Sequence, residues 1–249
     1  MKNINTVTPF EDTHFDRKTV TVTRLPADVV EAKLGIALSD DQVKRLCGAT
    51  TNARITVQFK SRWLKAEVGD EDVPAGLFFE VENPAYNRSD AVVGIYLDEA
   101  SDEIMLYIKS VNFIKGRVKS LAARMVAVIV REAMNIGITR LRLLAAGGRE
   151  WQDFVAEVHK PERWGGYFAW PLYGFDMALG DSDESLISEF PFFPKNLSAC
   201  ATVLDVLEIE GGREWWKVCG NGHYMEFDLS SPSTPSITTL DAFLGAAKV

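Results

Sequence analysis

The fold is decided by the stretch from Ile104 to Ala146. It reads IMLYIKSVNF (Ile104–Phe113), Lys115-Gly116, RVKSLAARMVAVIVREAMNI (Arg117–Ile136), Gly137 and ITRLRLLAA (Ile138–Ala146). The first block is rich in aliphatic and aromatic residues and has the length of a strand. In the second, Val118, Leu121, Ala122, Met125, Ile129, Ala133 and Ile136 recur at three- and four-residue steps. That spacing is one face of a helix of about five turns. Val126, Val128 and Val130 widen the stripe, so the helix is expected to pack on more than one side. Gly137 is a natural stop, and the third block returns to strand composition. Strand, helix, strand in this order predicts a parallel crossover, almost always right-handed.

Upstream, the period is two. RITVQFK (Arg54–Lys60), LFFEVE (Leu77–Glu82) and AVVGIYL (Ala91–Leu97) alternate or run apolar, and Asp98–Asp102 is a turn. This predicts an antiparallel meander leading into the crossover. Earlier still, TVTVTR (Thr19–Arg24) reads as a strand stopped by Pro26. Ser39-Asp40-Asp41 reads as the start of a short helix ending at Gly48. Downstream, Gly165-Gly166 and the aromatic run Tyr167–Phe175 close the core. Residues 181–249 differ in character. Asp181–Glu184 is acidic, and Pro191 and Pro194 interrupt the chain. Thr202–Glu210 and Arg213–Val218 read as helices split by Gly211-Gly212, and SPSTPS at 231–236 leads to a last helix. The expected fold is α+β: a twisted mixed sheet at 51–180, a lead-in at 1–50 and a mostly helical extension at 181–249.

The 249 residues are 47% apolar and 25% charged, which excludes a disordered, collagen-like or coiled-coil chain. Thirty-five acids against 27 bases give a net charge of −8, so a broad grip on duplex nucleic acid is not expected. Cys47, Cys200 and Cys219 are odd in number and far apart, which suggests no disulfide framework. No apolar signal core opens the chain. The longest apolar run, Met125–Val130, is far short of the roughly 18 residues a membrane span needs. The reading is a cytoplasmic protein with no membrane partner.

The chemistry concentrates at the start of the long helix. Lys115, Gly116, Arg117, Lys119 and Ser120 place three bases and two small residues where unpaired N–H groups and the helix dipole favour an anion. Here the chain resembles the GNAT acyltransferase superfamily, whose R/Q-x-x-G-x-G/A signature is matched by Arg117-Val118-Lys119-Ser120-Leu121-Ala122 as R-x-x-S-x-A. Serine stands where the family has its middle glycine. The order of elements over about 53–176 is also similar. The resemblance implies acyl-CoA as co-substrate, acetyl-CoA by default, and an amine acceptor on a protein or small molecule. It implies cofactor contacts from the backbone near Val111 and Phe113 and from Arg117, Lys119, Ser120, Leu121 and Ala122. Many members carry Y-x-x-x-G-F, whose tyrosine protonates the departing thiolate. Trp170 takes that place here, so Tyr173 is the expected acid, with Tyr167 nearby. Glu80 is the expected base.

Each residue also has a plainer reading. The bases at the helix start could be solvated charges, and the tyrosines core aromatics with wet hydroxyls. Glu80-Val81-Glu82 also fits an ADP-ribosyltransferase, but no Ser-Thr-Ser precedes it. His14, His159 and His223 are scattered, and Cys219-x-x-x-His223 lacks a second pair, so no metal is expected. Trp215-Trp216 reads as an anchor of the extension or as a patch for a protein partner. The second function is a GNAT-like binding or inhibitory protein without catalysis. The third is transfer to nucleic acid or aminoacyl-tRNA, which would need Arg140, Arg142 and Arg149 to build a basic face with Lys115.

Overall fold

The computed structural model describes residues 1–23, 35–60, 76–98, 101–116, 118–149 and 165–247. Among the described residues the lead-in contains helices Lys2–Asn5 (α1) and Pro9–His14 (α2), strand Thr21–Thr23 (β1) and helix Asp40–Leu46 (α3). Local chemistry sets their starts. Thr8 accepts from the Glu11 N–H and Pro9 occupies the first turn of α2. Ser39 and Gln42 form a capping box on α3.

Six further strands follow: Arg54–Lys60 (β2), Gly76–Glu82 (β3), Ala91–Asp98 (β4), Glu103–Ser110 (β5), Arg140–Leu144 (β6) and Tyr224–Asp228 (β7). They form one seven-stranded mixed sheet in sequential order. The expected meander is β2 to β5, and β6 runs parallel to β5 after the long helix Leu121–Asn135 (α4). Two pairings were not anticipated. β1 lies parallel to β2, and β7, inside the segment read as mostly helical, pairs antiparallel with β6. The remaining helices are Gly166–Leu172 (α5), Asp181–Ser188 (α6), Val203–Glu208 (α7), Gly212–Cys219 (α8) and Pro235–Ala246 (α9). Pro26 and the rest of 24–34 lie outside the described residues.

The two faces of the sheet differ. Val57, Phe79, Ile95, Leu106, Leu141 and Phe227 share one face and are buried in the main core with α4. Every residue of α4 from Ala123 to Val130 is buried, as the widened stripe predicts. The same core takes in Ile4 and Leu244, so both ends of the chain pack into it. The other face carries a smaller cluster of Phe78, Tyr96, Met105 and Tyr107. Gly94 makes room there: a Cβ on it would sit 2.3 Å from the Phe78 ring.

An ionic clamp joins the lead-in to α4. Glu11 is buried between Arg131, with which it pairs closely, and Arg124, whose Nη1 lies 3.6 Å away. Arg131 also donates to the Ile4 carbonyl at 2.7 Å. Farther along α4, Glu132 pairs with Arg45 of α3. Among the described residues no helix is long and apolar enough to cross a membrane.

Candidate functional site

Two strands that begin side by side are pulled apart. The parallel register of β5 and β6 ends at Ile108↔Leu143. One step before the end of β5 the ladder to β4 shifts: Val93 faces Ile108 but Val92 faces Ser110, leaving Lys109 as a bulge. Beyond it the chain follows β4's side. Arg88 donates to the Asn112 carbonyl and Ile114 to the Tyr86 carbonyl, both at 2.8 Å, around the bridge Asn87↔Phe113. Bonds that flank a bridge in this way turn Phe113's own N–H and C=O to the opposite edge.

The β6 chain leans the other way. Ala145 donates to the His223 carbonyl at 2.9 Å, Gly148 bridges Asn221, and Arg149 donates to Gly220 at 3.0 Å. Gly148 is required here, because its φ is 106° and a Cβ would lie 2.6 Å from Asn221 Cα. The result is an opening at the carboxyl ends of a parallel strand pair. This is where open sheets with parallel strands bind ligands.

The helix start is placed differently from the sequence reading. The helix was expected from Arg117 but begins at Leu121, because Ser120 has φ 63° and ψ 12° in the left-handed region. A left-handed residue breaks the helical run, and it is where glycine is the relaxed choice. Ser120 makes no side-chain cap, and the first turn holds no acid. Leu121 is buried, Ala122 half-buried and Lys119 exposed, as are Lys115 and Gly116. Of the proposed cradle, only the N–H groups after Ser120 belong to the helix. Arg117 lies outside the described residues. Val111 and Phe113 are half-buried, and β5 ends at Ser110 rather than at Phe113 as expected, since the bulge diverts the chain.

The catalytic expectations separate. Glu80 pairs in register with Val92, which faces Ser110, and it shares the Phe78 and Tyr107 face. It therefore sits level with the opening but roughly 12 Å from its middle, two and a half strand spacings away. Tyr173 is elsewhere. Its ring packs on Trp170 and on Phe243 of α9, with centroids 6.1 and 5.1 Å apart. The next residue, Gly174, lies against the Ser236 carbonyl and Phe227, beside the amino end of β6. The structure does not bring Tyr173 to the opening. Burial pushes its phenol above the usual range. Tyr167 donates to the Lys217 carbonyl at 2.6 Å.

Sequence reasoning missed a group on the second face. Tyr224 faces Leu144 across β6–β7, one strand beyond the opening, with the Arg142 guanidinium 4.8 Å above its ring. Tyr107 and Tyr96 lie behind it. Burial raises both phenols; Tyr224 adds to the rise at Tyr107, while Arg142 opposes it at both. The alternation of YMEFD at 224–228 was the available signal. Arg140 and Arg142 do share this face, but Arg140 lies between Glu103 and Glu226, at 3.1 and 3.7 Å, so the face is not simply basic. No cluster of metal-ligating side chains occurs among the described residues.

No family model and no curated protein matches the chain.

Proposed function

We propose that the chain is a CoA-dependent N-acyltransferase of GNAT type. The observation that carries this reading is the divergence of β5 and β6 at their carboxyl ends, next in sequence to a helix start that lacks acids and a side-chain cap. The residues present suit an acyl-CoA. Phe113's outward N–H and C=O can pair with an extended amide chain. The N–H groups of Leu121 and Ala122, with exposed Lys119 and Lys115, suit a pyrophosphate. When bound, the cofactor supplies an activated thioester. Glu80 takes the proton of the acceptor amine through a chain of waters, since at roughly 12 Å from the middle of the opening it is beyond the reach of a single one. Tyr224, one strand from the opening, is assigned in place of Tyr173 as the phenol that returns a proton at the leaving sulfur.

The test is thermal unfolding with acetyl-CoA, free CoA and ATP. A rise of several degrees with both CoA species and none with ATP is expected. No shift at saturating cofactor overturns the reading. One observation favours a second reading, a GNAT-like binding protein without catalysis: the expected acid, Tyr173, is packed under α9 away from the opening. A CoA-dependent shift with no turnover across amine acceptors would favour it.

A further inference from the structure

The loop after α6 exposes three phenylalanines in four residues, Phe190, Phe192 and Phe193, at 36, 90 and 63% of their surface. It is not slack chain. Phe193 lies on Gly211, where a Cβ would be 2.5 Å from the ring, and Phe190 packs edge-on against buried Trp215 at 5.8 Å. Phe192 is thus held outward on an anchored base. Exposed Glu189 and Lys195 flank the loop, one acid and one base.

A groove of about 650 Å³ lies nearby, between α5, α7 and α9. Leu172, Leu204 and Leu207 form one wall, and Ala242, Phe243 and Ala246 the other. Its rim also carries one acid and one base, exposed Glu208 and Arg213. Arg213 is two residues from Gly211, so knob and groove are neighbours on one surface.

We propose that this surface joins two copies of the chain, each inserting its Phe192 knob into the other's groove. The charges select this occupant. Glu189 and Lys195 beside the knob are opposite in sign to Arg213 and Glu208 at the groove rim, so two copies can pair acid with base at both contacts. Neighbouring knob and groove allow a closed two-fold exchange, in which both contacts form at once. The two inserted rings bury roughly 300–500 Å². With the matching groove walls the contact is roughly 600–1,000 Å², the size of a weak, reversible dimer interface.

Sedimentation velocity across the micromolar range tests this. The full chain should dimerise. Phe192→Asp, at an exposed site, and Ala242→Trp, which fills the groove, should each raise the dissociation constant about tenfold or more with an unchanged melting temperature. An equimolar mixture of the two variants retains one intact knob and one intact groove, and should associate more tightly than either alone. Glu189→Arg combined with Arg213→Glu should recover what either charge reversal loses. A chain monomeric throughout, or a dimer indifferent to both variants, overturns the proposal. So does a monomer that floats with phosphatidylcholine vesicles through Phe192.

Discussion

Glu11→Gln is the sharpest test of how the lead-in is fixed to the core. The side chain is 5% exposed, between Arg124 at 2% and Arg131 at 18%. Burial holds the Arg124 guanidinium below its usual range; Glu11 opposes that shift and Arg131 reinforces it. Glutamine keeps the size and removes the charge, leaving two guanidinium groups facing each other. Breaking a buried pair costs about 3–5 kcal/mol. Arg131 reaches water and retains the Ile4 carbonyl, so its share is screened and the lower figure applies, about 3 kcal/mol. For a chain of this size that is a fall of roughly 6–12 °C in Tm. Urea unfolding should show a lower midpoint with an unchanged slope. Adding Arg124→Met to Glu11→Gln should recover part of the loss, because the stranded charge is gone. A loss below about 1 kcal/mol, or no recovery in the double variant, would refute the argument.

Other outcomes follow from single sites. Ser120→Gly relieves a left-handed serine, a strain of about 1–2 kcal/mol, against about 0.5–1 kcal/mol of added unfolded-chain freedom. A net gain of about 0.5–1 kcal/mol is expected in urea unfolding; a loss would mean the serine hydroxyl supports the turn. Burial pushes the Cys47 thiol up to about 12. At pH 8 its thiolate fraction is about 10⁻⁴, so a disulfide exchange reagent should label Cys200 and Cys219 in the native chain and Cys47 only after unfolding. At Asp241, burial works upward but is outweighed by hydrogen bonds from the Ile4 N–H and the terminal ammonium, which hold its carboxyl below the usual range. A depressed carboxyl contributes stability in full above its unfolded pKa and loses it as pH falls through the folded value. Asp241→Asn should therefore flatten the acid limb of Tm against pH and change the slope little near neutrality.

The meander, the crossover and α4 were legible because each carries an unbroken period over its whole length. Val57, Phe79, Ile95 and Leu106 alternate, and α4 repeats over fifteen residues. What failed was short or conformational. β7 has five residues and sits among helices, so composition averaged over 181–249 hid it. The helix start was missed because apolar periodicity runs through Val118 into the true helix, while the break is a single positive φ at Ser120. Tyr173 is expected as the acid because it lies near Trp170, which stands where the family has its tyrosine. The helical turn of α5 carries it under α9, a placement set by Phe243 and Ser236 some sixty residues onward.

The opening between β5 and β6 is built, not left over. A parallel pair would ordinarily continue to pair while both strands continued, since unpaired backbone groups are costly in a buried sheet. Here each strand finds another partner at the point of separation. The bulge at Lys109 turns the end of β5 toward 86–88, where Asn112 and Ile114 bond. The glycines at 147 and 148 let the end of β6 close on 220–223, as near as backbone can approach backbone. The diverging chains are bonded on their outer edges; on the inner side Phe113's N–H and C=O face the gap, while the Ala146 carbonyl accepts from the Tyr167 N–H at 3.2 Å and Gly147 bridges Gly165. Closing it would require giving up bonds on both sides at once. The residues that fix the opening, Lys109, Phe113, Gly148 and Asn221, are for that reason mostly not the residues that would react in it.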